Sequence, residues 1–236
     1  ASVPVGSKVR VAGVVVAGLG LLGNDALYLG DRSGGVRVYA PGAAAAGFEA
    51  SVGDAMEVAG TYLLAFGEPQ IRAGPRGLVH AGRGRPLVPG HVATGDLEAN
   101  LGRLVRISGH VEGWGTSAFT LNDGTGKARV VLRAATGLGR PWLAVGTRIT
   151  VAGVVGRFSR RGEPGGYRVM PRGDGDFPAG AGGPRLPDTG GGGYSSNSGP
   201  SSSAPGYASW GRGMNSGKCC RTCGGVWKVI QSNPPK

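Results

Sequence analysis

The sequence predicts an all-β protein: two tandem five-stranded Greek-key barrels of one architecture, followed by a disordered C-terminal tail. Three observations carry this reading. An ordered set of strand-like blocks occurs twice, Gly makes up 49 of 236 residues, and the composition changes abruptly after Phe177. So much glycine supplies tight turns and linkers and disfavours long helices. The length has room for two cores of about 80 residues, and 40% apolar with 17% charged residues suits ordinary packing.

The blocks run in the same order in both halves. Val9-Arg-Val-Ala-Gly13 recurs as Val105-Arg-Ile-Ser-Gly109, and the alternation of apolar residues marks a strand with one buried face. Leu27-Tyr-Leu-Gly-Asp-Arg-Ser-Gly34 with Val36-Arg-Val-Tyr39 recurs as Phe119-Thr-Leu-Asn-Asp-Gly-Thr-Gly126 with Ala128-Arg-Val-Val131. Each reads strand, turn, strand. Asp31 and Asp123 suit the turn because a short carboxylate bonds the backbone just ahead, and Gly34 and Gly126 are expected to supply positive φ. Val52-Gly-Asp-Ala-Met-Glu-Val-Ala-Gly60 matches Val145-Gly-Thr-Arg-Ile-Thr-Val-Ala-Gly153, a turn leading into a strand. Last come Phe66-Gly-Glu-Pro69 with Gln70-Ile-Arg72, and Phe158 with Gly162-Glu-Pro164 and Tyr167-Arg-Val169, each a loop and a closing strand. Ala43 to Phe48 and Ala134 to Leu138, between the second and third blocks, have the length of one or two helical turns.

Five strands with a short insert after the third is the order of the OB-fold. SH3-like barrels also have five strands but lack that insert. The bounds are residues 5–80 for the first barrel, a Gly/Pro/Arg-rich linker at 81–96, 97–177 for the second barrel, and a Gly/Ser/Pro-rich tail at 178–236. With these blocks the chain resembles the tandem OB-fold, nucleic-acid-binding type modules of secreted or surface-anchored bacterial proteins. The resemblance implies a binding module located outside the cell or on its surface.

The net charge of +12 is uneven. The first barrel is neutral, whereas the second carries twelve basic against six acidic residues. Such a field favours single-stranded nucleic acid or another polyanion. OB-folds bind on strands two and three, flanked by the one–two and four–five loops. Strand alternation turns Tyr28, Arg37 and Tyr39 outward in the first barrel, with Phe66 on its four–five loop. In the second, Thr120, Arg129, Val131 and Arg133 face out, Trp114 lies on the one–two loop, and Arg157, Phe158, Arg160 and Arg161 on the four–five loop. Aromatic rings would stack bases and arginines would contact phosphates. The alternative is a structural spacer or adhesion module contacting protein or polysaccharide.

No enzyme, cofactor or metal site is expected. His80, His91 and His110 are the only histidines. None pairs with a nucleophile in sequence pattern. Asp174 and Asp176 form only a loose acidic pair. No apolar stretch approaches the roughly 20 residues that span a bilayer.

Leu186-Pro187-Asp188-Thr189-Gly190 resembles the L-P-x-T-G sorting signal of wall-anchored proteins, which would make a sortase and the cell wall partners. The pattern departs downstream, where the apolar helix and basic end of such signals are replaced by Gly/Ser-rich sequence. Cys219, Cys220 and Cys223, with three of the five lysines, fall in the last 19 residues.

Overall fold

A computed structural model describes residues 3–139, 143–159 and 164–177. The repeated blocks become β1 (Lys8–Ala17), β2 (Ala26–Gly30), β3 (Gly35–Tyr39), β4 (Asp54–Ala65) and β5 (Glu68–Arg72) in the first half. Two further strands follow, β6 (Leu78–Arg83) and β7 (Gly90–His91). The second half contains β8 (Leu104–Trp114), β9 (Ala118–Asn122), β10 (Lys127–Val131), β11 (Arg148–Arg157) and β12 (Tyr167–Met170).

The first sheet runs β1-β2-β3-β5-β4 and closes through β1–β4, with Lys8 opposite Thr61 and Val14 opposite Ala55. The second runs β8-β9-β10-β12-β11 and closes through β11–β8. Within each ring only β3–β5 and β10–β12 are parallel. This is the OB topology twice over, and ring closure removes the exposed edges of an open sheet. Alternation decides which residues fill each barrel. Val9, Val11, Val15, Leu27, Leu29, Val38, Met56, Val58 and Ile71 pack the first. Their counterparts, among them Val105, Ile107, Phe119, Leu121, Val130, Ile149, Val151 and Val169, pack the second.

Two local expectations are corrected, the first insert and the hairpin glycine. The insert after β3 is a run of turns over residues 41–47, not a helix: four alanines between Gly42 (φ 76°) and Gly47 (φ 75°) are too few to nucleate one. In the second barrel the insert is one 3-10 turn, Ala134–Thr136, stopped by Gly137 in the left-handed region. In the hairpins, Asp31 Oδ1 does accept from the backbone N–H groups of Ser33 and Gly34. Positive φ, however, is absent at Gly34, and in the second hairpin it falls on Gly124 (φ 100°) as well as Gly126.

The segment expected to be a linker is tied to both barrels. β6 lies on β4, from Asp54 opposite Arg83 to Val58 opposite Leu78. β7 pairs in parallel with β8. Thr94 is 1% exposed, and its polar groups are satisfied there: the hydroxyl lies 2.6 Å from Asp123 Oδ1 and the N–H donates to Asp123 Oδ2 at 3.0 Å.

A third cluster of buried side chains joins the barrels directly. Val16, Ala17, Leu22 and Tyr28 of the first meet Leu104, Val154 and Met170 of the second. Arg172, paired with buried Asp176, also donates to Val16 O at 3.1 Å. At Gly35 and Gly102 the two backbones touch: a Cβ on Gly35 would stand 2.0 Å from Gly102 O.

Candidate nucleic-acid interface

The expected binding face of the first barrel is where the second barrel sits. Tyr28 points away from its own core as alternation requires, yet it is only 2% exposed. Its hydroxyl donates to Glu68 Oε1 at 2.8 Å, and Gly156 of β11 lies against both groups. A Cβ there would be 3.3 Å from the Tyr28 oxygen and 3.4 Å from Glu68 Oε1. Burial drives the phenol far above its ordinary value, with the Glu68 charge acting the same way. Burial also raises the Glu68 carboxyl, against the lowering influence of the Tyr28 hydrogen bond, Arg37 and Arg168. Tyr28 is therefore a joint between barrels and is not open to stack a base.

Beside this joint, side chains of both barrels line a seam. On the second barrel Thr120, Arg129 and Arg168 are cross-strand neighbours on β9, β10 and β12. Arg129 is exposed, while Thr120, Val131 and Arg133 are half-buried. From the first barrel Arg37 donates to Gln70 Oε1 at 2.7 Å. Gly23 brings Arg37 and Arg133 together, since a Cβ there would meet Nη2 of both, at 3.4 and 4.0 Å. Arg133 is held by donation from Nε to Leu22 O at 2.9 Å. Tyr39, half-buried, lies at the far end of β3 opposite Ala26 and Arg72.

Arg168 occupies the middle of the seam. Desolvation, with the like charges of Arg133 and Arg37, lowers its pKa, while Tyr28 and Glu68 pull the other way. Its Nε is buried without a hydrogen-bond partner among the described residues. A guanidinium crowded by like charges is a position that a nearby anion would stabilise.

The seam ends in two phenylalanines supplied by the two four–five loops. Phe66 (61% exposed) and Phe158 (41% exposed) stack with ring centres 4.9 Å apart and planes at 27°. Arg168 lies over Phe158, 5.3 Å from the ring centre. Phe66 and Gly67 form the two-residue turn between β4 and β5, with φ of 53° and 78°. Such a turn ordinarily takes Asn-Gly, and a bulky residue in the left-handed region is held there at a cost of about 1–3 kcal/mol. Ser159 N–H donates to Phe66 O at 2.8 Å, fixing one loop against the other.

Other expected contacts have structural duties. Arg157 donates from Nε to Gly165 O at 2.9 Å and from Nη1 to Gly67 O at 3.3 Å, and covers the Tyr167 ring at 5.1 Å. Trp114 ends β8 and caps the second core: Nε1 donates to Leu143 O at 2.9 Å and its ring lies 4.7 Å from that of Phe119. Arg160, Arg161 and the Leu186–Gly190 pentapeptide lie outside the described residues. Arg168, missed as a site residue, was within reach of the sequence pattern, because Val169 inward in the closing strand leaves Arg168 outward.

No protein-family model and no curated protein matches the chain. Solved structures align along most of it at low identity. A murine DNA-binding protein bound to double-stranded DNA is 11% identical with TM-score 0.35, covering 70% of this chain and 90% of that one. The Ifi202 HINa domain in complex with a 20-bp DNA duplex is 13% identical with TM-score 0.34, covering 70% and 93%. A deletion mutant of the single-stranded DNA binding protein from Thermus aquaticus is 17% identical with TM-score 0.24, covering 74% and 97%. Likeness of this degree says nothing about the ligand here. Among the described residues no group of three or more His, Cys, Asp or Glu side chains is placed to hold a metal ion, and no helix is long and apolar enough to cross a membrane.

Proposed function

We propose that the chain binds nucleic acid, with preference for single strands, along the seam where its two barrels meet. One observation carries the reading: Arg37, Arg129, Arg133 and Arg168 from both barrels gather on one surface that ends in the exposed Phe66–Phe158 stack. The arginines hold phosphates, and the ring pair offers a flat apolar platform on which an unpaired base stacks without regard to its identity. A duplex keeps its bases inside and cannot use that platform, which is the source of the preference.

The test is fluorescence-anisotropy binding of the full chain to oligothymidylate and to duplex across a salt series. Single strands should bind tighter, with log K falling by about 0.7 per phosphate contact for each unit of log salt. Arg129→Ala should shrink that slope by about one contact. Phe66→Ala should cost roughly 5- to 150-fold on single strands, about 1–3 kcal/mol, while leaving the slope alone. Equal binding of heparin and oligonucleotide, or no binding, would instead favour a spacer or adhesion module.

A further inference from the structure

A second basic surface has a lining that shares no residue with the seam. The seam involves β3 and β5, whereas this cleft, of about 530 Å³, opens beside β2 and the segment joining the barrels. Its apolar lining includes Leu87, Val88, Val92 and Leu104. Arg32, Arg85, Arg103 and His91 supply its basic groups. Asp31 is the acidic group that lines it, and its carboxylate is engaged by Ser33 and Gly34. Arg103 is committed in part, donating to Arg32 O at 3.0 Å. Arg32 and Arg85 are exposed, and among the described residues neither has an ion-pair partner.

We infer that this cleft takes a second stretch of the same nucleic-acid strand, its base against the apolar lining and its phosphates on Arg32 and Arg85. The lining and the charge together select the ligand. A phosphate alone would not need Leu87 and Val88, and an apolar ligand would not need the arginines. Arg32 stands in the turn between β2 and β3, five residues before Arg37 of the seam, so one β-strand carries the chain from the cleft to the seam. This inference rests on the seam being a nucleic-acid site. It adds that the protein occludes more strand than one OB face, for which site sizes of roughly 4–16 nucleotides are usual.

The double variant Arg32→Glu/Arg85→Glu separates the two statements, because both residues line the cleft and neither belongs to the seam. Wild-type full chain should bind an oligothymidylate of about 30 nucleotides more tightly than one of about 8, beyond the gain from counting sites. The variant should bind the short strand as wild type does and lose the extra affinity for the long one. Its salt slope on the long strand should fall by about 1.4, two phosphate contacts. An unchanged affinity and slope on the long strand would overturn the cleft and leave the seam standing. Failure of wild type to bind either strand would remove both. Displacement of the long strand from the cleft by polyglutamate at equal charge would also overturn the inference, assigning the surface to an acidic polypeptide. Unchanged thermal unfolding of the variant serves as the folding control.

Discussion

The phenol of Tyr28 makes a hydrogen bond that water cannot readily replace, since both it and Glu68 are buried between the barrels. Tyr28→Phe removes the donor, leaves the carboxylate buried, and should cost about 1–3 kcal/mol. The cost should depend on pH with a definite sign. The folded-state pKa of Glu68 already lies above its ordinary value through burial, and the Tyr28 hydrogen bond is the largest influence holding it down. Losing that bond raises it further, so the folded variant binds a proton more tightly than the unfolded chain does. Its relative stability is therefore greatest at low pH and is lost as pH rises through the folded pKa. Urea unfolding of wild type and variant at about pH 5 and about pH 8 should show the larger deficit at the higher pH. An equal deficit at both would mean that Glu68 does not titrate in this range.

At the scale of elements, the hairpin from β9 to β10 illustrates how one carboxylate fixes two segments. Asp123 Oδ1 accepts from Thr125 N–H and Oγ and lies 2.6 Å from Thr94 Oγ, while Oδ2 accepts from Thr94 N–H. Hydrogen bonds from Thr125 and then Thr94 hold its pKa well below the usual carboxylate range. That stabilisation is present above the ordinary Asp value and disappears as pH falls through the lowered one. Asp123→Asn places an amide N–H opposite the Thr94 N–H, donor against donor, so its melting temperature should be lower near neutrality, with the gap to wild type closing in acid. A gap that persists unchanged in acid would count against this account. The same hairpin shows what the sequence makes legible. The aspartate turns, the strands and their order follow from alternation and from the repeat, because barrel closure leaves each inward residue little choice. The covering of Tyr28 does not. Period two says that a side chain leaves its own barrel, and it is silent on whether solvent or another barrel awaits. For the same reason the sequence marks Phe66 and Arg37 as separate candidates, whereas their union with Phe158, Arg133 and Arg168 depends on packing between the modules, which the repeat does not specify.

For the molecule as a whole, the contact between barrels determines whether two modules or one surface meets the ligand. Val16, Leu22, Val154 and Met170 are each at most 2% exposed. Exposing such a side chain fully would cost about 1.5–3 kcal/mol, so separating the barrels costs an appreciable part of the roughly 5–15 kcal/mol that stabilises a whole domain. The two barrels should consequently unfold together, with calorimetric and van't Hoff enthalpies in agreement. Gly35→Ala tests this without disturbing either core. The added methyl would stand 2.0 Å from a backbone carbonyl, that of Gly102, which no side-chain rotation can relieve, so the barrels must shift apart. The variant should unfold earlier or in two resolved steps. It should also bind single strands more weakly, because Phe66 and Arg37 are carried by one barrel and Phe158, Arg129, Arg133 and Arg168 by the other. A variant that unfolds in two steps yet binds with undiminished affinity would show that the second barrel alone holds the strand. The basic excess that this barrel carries would then suffice without the seam.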